Sequence, residues 1–335
     1  MPKCQAVAFT APGRAELVAH ELPDAPKADH VLLKTEYTLI SPGTEFACLN
    51  GVTGRTVRYP MYLGYSAVAR VIEAGSDVHD LKPGDRCLCY HSIHCSFQHM
   101  PARNVVRIED DALPSPEAIF CVVGTMGFQG VRRCRPEFGE SALVMGLGLL
   151  GQFAVQTARL CGLFPVIGLD FHTDRREKAL ATGADACFSP DEPGLTEKVK
   201  NLTRGGADIV IEVTGNPQAV VQGLECCAPF ARVALVGCSR APTEKIDFYN
   251  LVHRPGISLI GAHNSARPAL DRRPGVWTQR EDMALLLRSM ALGRLSSKHL
   301  ITGIADPAEC PGIYDRLYRR DPSVLGQLFD WRNYA

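Results

Sequence analysis

The feature that most narrows what this chain can fold into is Gly146-Leu147-Gly148-Leu149-Leu150-Gly151, set directly after the apolar run Ala142-Leu143-Val144-Met145 and before an amphipathic stretch ending at Cys161. A glycine-rich turn between a buried strand and a helix is the first turn of a dinucleotide-binding βαβ unit, and such units imply a parallel sheet. Gly146 permits the tight turn, Gly148 lets the backbone approach a pyrophosphate, and Gly151 lets the helix pack on the strand. Leu149 and Leu150 open that helix, whose free N–H groups face the phosphates. Asp170 closes the next apolar run, about 20 residues on, where a carboxylate hydrogen-bonds a ribose 2′-OH and repels a 2′-phosphate. The predicted cofactor is therefore NAD, with NADP disfavoured. Arg175, on the following helix, can contact the same ribose or a 2′-phosphate. The alternative is a tight strand-to-helix turn with nothing bound.

Beyond Glu140, apolar strands alternate with helices through Pro165–Leu169, 174–182, 207–213, 217–227, Arg232–Val236 and Ile257–Ile260. That alternation predicts an α/β, doubly wound parallel sheet. Ligands bind outside the carboxyl ends of such strands, so Thr214, Gly237 and His263 are expected around the ribose and nicotinamide. His263 and Asn264 either reach the substrate or hold their own loop. The first 108 residues instead show short β-like runs between turn residues (Lys82-Pro83-Gly84-Asp85, Gly75-Ser76), an irregular β-rich domain. A helix is expected from Pro114 to about Arg133, bridging the two styles, with helices at 281–292 and near 311–318 and a last strand at 326–330. With 335 residues, more than one core is expected. The divisions fall at 1–115, 116–265 and 266–335.

Composition removes several partner classes. Lys+Arg and Asp+Glu number 36 each, which leaves no electrostatic footprint for nucleic acid and no basic block for a membrane surface. The longest apolar run, 142–155, is too short and glycine-rich to span a bilayer. No apolar secretory core follows the first residues, and thirteen scattered cysteines read as reduced thiols, so a cytoplasmic location is expected. Cys87, Cys89, His91, His94 and Cys95 crowd into one short segment. Alternate residues of a strand share a face, so Cys87, Cys89 and His91 either point together at a metal or are buried thiols ahead of a polar loop.

These motifs, with Ile40-Ser41-Pro42-Gly43-Thr44-Glu45, Leu63-Gly64-Tyr65-Ser66, Lys82 to Arg86, Asp208 to Gly215, Arg232 to Gly237 and Gly326 to Trp331, resemble the medium-chain dehydrogenase/reductase superfamily over nearly the whole length. The resemblance implies a GroES-like β-rich domain, a Rossmann domain and a C-terminal return to the first domain. Zinc-dependent members carry a Cys where Ser41 or Pro42 stands and Gly-His-Glu where Gly64-Tyr65-Ser66 stands, and many carry a four-cysteine lobe that is missing here. The pattern is that of a branch without the usual zinc ligands, similar to bacteriochlorophyllide a dehydrogenase-like oxidoreductases, and zinc is not expected.

The resemblance further implies hydride transfer between nicotinamide and a small-molecule secondary alcohol or ketone. Ser41, Thr44, Tyr65, Ser66, His94 and Asn264 suit a sugar- or polyol-like substrate. Without zinc, a side chain must handle the alcohol proton. Tyr65 is either a proton donor or a plug filling the metal's volume, Thr44 a proton relay or a turn hydroxyl, and His94 a proton exchanger at the cleft or a solvated loop residue. Glu45 matches an acidic position beside the family's metal, with its role open. Alternatives are reduction of an activated C=C bond or quinone, and a catalytically silent nucleotide-binding sensor. The family also implies a homodimer or homotetramer, with Arg232–Gly237 and Ile257–Ile260 compatible with a shared sheet edge.

Overall fold

The structure, a computed structural model, describes residues 4–50, 58–239, 242, 245–269 and 271–334. Two compact units divide the chain: unit 1 is Met1–Val122 with Arg280–Ala335, and unit 2 is Val123–Gln279. Both boundaries lie later than the divisions expected at 115/116 and 265/266.

Unit 1 begins with β1 (Gln5–Ala11), β2 (Arg14–Ala19), β3 (His30–Leu39) and α1 (Pro42–Leu49). It continues through β4 (Met61–Tyr62), β5 (Ser66–Ala74), β6 (Arg86–Tyr90), β7 (Phe97–Pro101), β8 (Val105–Arg107) and α2 (Ser115–Ala118). Pro42 at the first position starts α1, with Ser41 as its N-cap. The segment read from sequence as a turn is thus the first turn of a helix. The helix expected from Pro114 onward is two, α2 and then α3 (Cys121–Arg133).

In unit 2, β9 (Ala142–Met145), α4 (Leu149–Leu160), β10 (Val166–Leu169), α5 (Thr173–Thr182), β11 (Ala186–Phe188), α6 (Leu195–Leu202), β12 (Ala207–Glu212), α7 (Pro217–Glu225), β13 (Cys227–Leu235) and β14 (Ser258–Gly261) follow in order. The six strands form one sheet in the order β11-β10-β9-β12-β13-β14, every pair parallel. The period of two along β9 sends Val144 to one apolar layer with Ala154 and Ile211, and Leu143 and Met145 to the opposite layer with Val210 and Leu224. Both faces are therefore buried, as a doubly wound sheet requires. β13 lies inside the sheet between β12 and β14. The expectation that Arg232–Gly237 helps form a shared edge is corrected: only the 257–260 run is at the edge, because β14 closes the sheet on that side.

The chain then returns to unit 1 through α8 (Gln279–Ala291), β15 (Gly303–Ala305), α9 (Cys310–Tyr318) and β16 (Gln327–Asp330). β16 pairs antiparallel with β3, Phe329 opposite Thr38, and Tyr314, Phe329 and Trp331 join Val7, Phe9 and Ile40 in one apolar cluster. Cys87 and Cys89 do share a face of β6, but that face is an apolar core with Val31, Leu33 and Ala67. His91 leaves the strand at φ 65° and stacks on Tyr90 at 3.8 Å, and Cys95 packs with Cys4 elsewhere. The possibility that Cys87, Cys89 and His91 converge is thereby corrected. No helix among the described residues is long and apolar enough to cross a membrane.

Candidate active site

Unit 1 gathers a chain of polar side chains at the start of α1. The Tyr65 phenol and the Ser41 hydroxyl share a hydrogen bond of 2.7 Å. The Ser41 N–H donates to Glu45 Oε1 at 2.7 Å, so a side chain one turn into the helix satisfies an N-terminal amide of α1. The second oxygen of Glu45 accepts from the Tyr314 hydroxyl at 2.6 Å, and His94 Nε2 lies 3.3 and 3.4 Å from the two carboxylate oxygens. His94 Nδ1 meets Thr38 Oγ1 at 2.7 Å, and Thr38 Oγ1 also accepts from the Trp331 indole N–H at 2.9 Å. With one lone pair of Thr38 engaged by the indole, its own proton can point to Nδ1, leaving Nε2–H to donate to Glu45. Burial pushes the Tyr314 phenol well above its ordinary pKa, and the Glu45 carboxylate adds to the shift.

Glu45, His94, Thr38, Tyr314 and Trp331 are all within 1% of complete burial. His94 does not border an open cleft: it is enclosed, edge-on to Phe329 at 5.4 Å, and it orients Glu45. The expectation that it borders the cleft is corrected on that ground. Gly64 explains how Tyr65 is aimed. Its φ is +113°, and a Cβ there would lie 3.1 Å from the His94 nitrogen, so the backbone before Tyr65 can press against the His94 loop only as glycine. Tyr65 is half-buried and Thr44 is exposed on the first turn of α1.

The donors do not fit a catalytic zinc. Such a site takes about three Cys, His, Asp or Glu ligands around an open position. Here the conventional ligands His94 and Glu45 are engaged with each other, and their neighbours are hydroxyls and an indole. Among the described residues no cluster of three or more His, Cys, Asp or Glu is arranged to hold a metal.

Unit 2 carries the glycine turn expected to cradle a nucleotide. Gly146 has φ +92°, and a Cβ on Gly151 would fall 1.8 Å from the Gly146 oxygen; both glycines are demanded by the turn itself. Gly148, the N-cap of α4 at φ −70°, is different, since a Cβ there would meet nothing within 4 Å. That open space leaves room for the close approach of a pyrophosphate. Leu149 and Leu150 form the first turn of α4. Asp170 Oδ2 accepts from Leu147 N–H at 2.8 Å, and Oδ1 from His172 N–H at 2.9 Å. Burial pushes the Asp170 carboxyl up, but these two N–H donors and the Arg175 charge outweigh it and hold its pKa below the usual value. Arg175 Nη1 stands 3.7 Å from Asp170. These residues fit a nicotinamide dinucleotide.

Thr214 is exposed just past β12, and its N–H donates to Glu212 Oε1 at 2.7 Å. Glu212 is a buried acid that sequence reasoning passed over; its only signal is a lone carboxylate ending an apolar strand. Burial raises its pKa against the pull of Thr214 and Gly215, and it pins the loop after β12. Gly237 packs so closely on that loop that a Cβ would lie 2.2 Å from the Gly215 nitrogen. His263 is exposed and its Nδ1 meets the Ser265 hydroxyl at 2.7 Å, a bond that holds its own loop.

Known proteins share this organisation. The family model described as alcohol dehydrogenase GroES-like domain matches residues 27–161, and that described as zinc-binding dehydrogenase matches 150–273. An L-threonine 3-dehydrogenase of Pyrococcus horikoshii is 28% identical over 296 residues, covering 77% of this chain and 82% of that protein. A D-guloside 3-dehydrogenase of Escherichia coli is 26% identical over 262 residues, covering 78% and 74%. The crystal structure of an Escherichia coli oxidoreductase/dehydrogenase of unknown specificity superposes with a TM-score of 0.86 at 18% identity, covering 98% of this chain and 99% of that one.

Proposed function

Because the chain belongs to the zinc-type medium-chain dehydrogenase/reductase superfamily and is an NAD(P)-dependent oxidoreductase of the alcohol dehydrogenase type, we propose that it interconverts a secondary alcohol and a ketone with NAD(H), without catalytic zinc. The observation that carries this reading is the 2.7 Å bond between the Tyr65 phenol and the Ser41 hydroxyl, anchored on a buried Glu45 rather than on a metal. Nicotinamide supplies the hydride acceptor or donor when bound. In the oxidising direction, Tyr65 takes the hydroxyl proton of the substrate as its own proton passes to Ser41 and the Ser41 hydroxyl releases one toward solvent; in the reducing direction the same chain runs in reverse and Tyr65 returns a proton to the carbonyl oxygen. Glu45 fixes Ser41 through its N–H, and His94 and Tyr314 fix Glu45, so these are positioning residues. Thr44, exposed beside Ser41 on α1, suits a relay to solvent.

The Asp170 carboxylate supports NAD over NADP, because a 2′-phosphate would meet a fixed negative charge. Gly146, Gly148, Leu149, Leu150 and Gly151 would hold the pyrophosphate, with Arg175, Thr214, Gly237 and His263 around the rest. The relatives named for threonine and a guloside support a polar, hydroxylated substrate of sugar or polyol type. All thirteen cysteines are free, which supports a reducing, cytoplasmic setting. The test is turnover of secondary alcohols, ketones and reduced sugars with each nicotinamide, with zinc measured on the same sample. Turnover at well below stoichiometric zinc is expected. Absence of turnover across the panel, or activity that tracks zinc content, overturns the reading.

A further inference from the structure

Unit 2 contains a second recess that the nucleotide cradle does not use. Arg133, Ala266, Arg267, Pro268, Arg273 and Val276 line a cavity of about 320 Å³. Three of these six side chains are guanidinium groups, and none is acidic. Arg133 is the last residue of α3, while Arg267 and Arg273 lie on the segment after β14. The segment is fixed to α3 at three points. Arg267 Nη2 donates to the Thr125 carbonyl at 2.6 Å, Gln279 Nε2 donates to the Thr125 hydroxyl at 2.7 Å, and Arg132 stacks between Phe128 at 4.3 Å and Trp277 at 4.1 Å. Arg273 is presented by a tight turn closed by paired backbone bonds with Val276, 2.8 and 2.9 Å.

Like charges gathered at one cavity repel one another, and a planar guanidinium is suited to bidentate pairing with carboxylate or phosphate. Neither Arg133 nor Arg273 forms an ion pair with a described residue.

We propose that Arg133, Arg267 and Arg273 form an oxyanion site that takes a carboxylate or phosphate group. An anionic substrate and free phosphate are the two sources of such a group; only the first of them rests on the oxidoreductase reading above. The experiment has two arms, both on the full chain. First, inorganic phosphate is titrated calorimetrically into protein saturated with NADH, so that the glycine loop is occupied. Binding by the wild type is expected, weakened at least about tenfold in Arg133→Gln/Arg273→Gln. The single variant Arg273→Gln, at an exposed position, repeats the comparison, and an NADH fluorescence titration of each variant verifies that it is folded.

Second, matched pairs are compared as substrates: a polyol with its phosphate monoester, and a simple alcohol with the corresponding hydroxy acid. A higher kcat/KM for the anionic member, lost in the variants through KM, assigns the site to the substrate. Phosphate binding with no such preference assigns it to free phosphate. Equal phosphate titrations for wild type and variants, or no binding at all, overturn the site itself. If no member of any pair turns over while the phosphate difference persists, the oxidoreductase reading has failed and the anion site stands.

Discussion

The Tyr65 phenol and the Ser41 hydroxyl, 2.7 Å apart, are the pair that the proposed mechanism offers a substrate oxygen. Tyr65→Phe keeps the ring against Tyr90 and removes the proton. Its kcat is expected to fall by about 100-fold or more, the range of a lost general acid or base, with the NADH affinity unchanged; steady-state rates and a fluorescence titration check both. Asp170 acts differently, since its charge is held by N–H donors inside the protein. Its pKa is lowered on folding, so its contribution to stability is complete above the ordinary carboxyl value of about 3.9 and is lost as pH falls through the lower folded value. Asp170→Asn is therefore expected to differ from wild type in chemical denaturation above about pH 4 and to converge with it in stronger acid. It should also weaken NAD binding while narrowing the preference over NADP, read by titrating each coenzyme.

At the scale of elements, the glycine loop and α4 were legible in the sequence because a strand, three spaced glycines and a helix leave one way to turn. The structure separates the glycines by what each is for. Gly151→Ala is expected to lower the thermal midpoint by several degrees, because its Cβ would overlap the Gly146 oxygen. Gly148→Ala should leave the midpoint within a degree or so, since its Cβ would meet no protein atom within 4 Å, and should weaken coenzyme binding by crowding the proposed pyrophosphate; a stability loss as large as that of Gly151→Ala would contradict this assignment. By contrast α1 was not legible. Its eight residues lack a strong apolar period, and its start depends on Glu45 reaching back to the Ser41 amide inside a buried network.

Across the whole molecule, the Glu45 network is closed by the C-terminal return: Tyr314 donates to Glu45 from 269 residues away, and Trp331 to Thr38 from 293. Tyr314→Phe leaves a buried carboxylate short of one donor, so a loss of about 1–3 kcal/mol in denaturant unfolding is expected, together with a fall in kcat as Ser41 loosens. Assembly belongs to this scale too. β14 presents Ser258 and Leu259 to solvent at the edge of the six-stranded sheet, an open edge that a second copy would satisfy. A dimer is expected by light scattering, and Leu259→Asp should shift it toward monomer; an unchanged mass would exclude that edge as the interface.

By itself the sequence determined the parallel, doubly wound unit, the place of the nucleotide cradle and the loss of the zinc-ligand pattern, because each is written in local spacing: period two, a glycine turn, and a residue type at a motif position. Only the tertiary structure decided that His94 is enclosed rather than facing a cleft, that Cys87 and Cys89 are core thiols, and that Glu45 is held by Tyr314. These outcomes depend on which distant segment packs over each side chain. A local pattern of apolar and polar residues fixes which face of an element is buried, but not which hydrogen-bonding partner, hundreds of residues on, arrives to cover it.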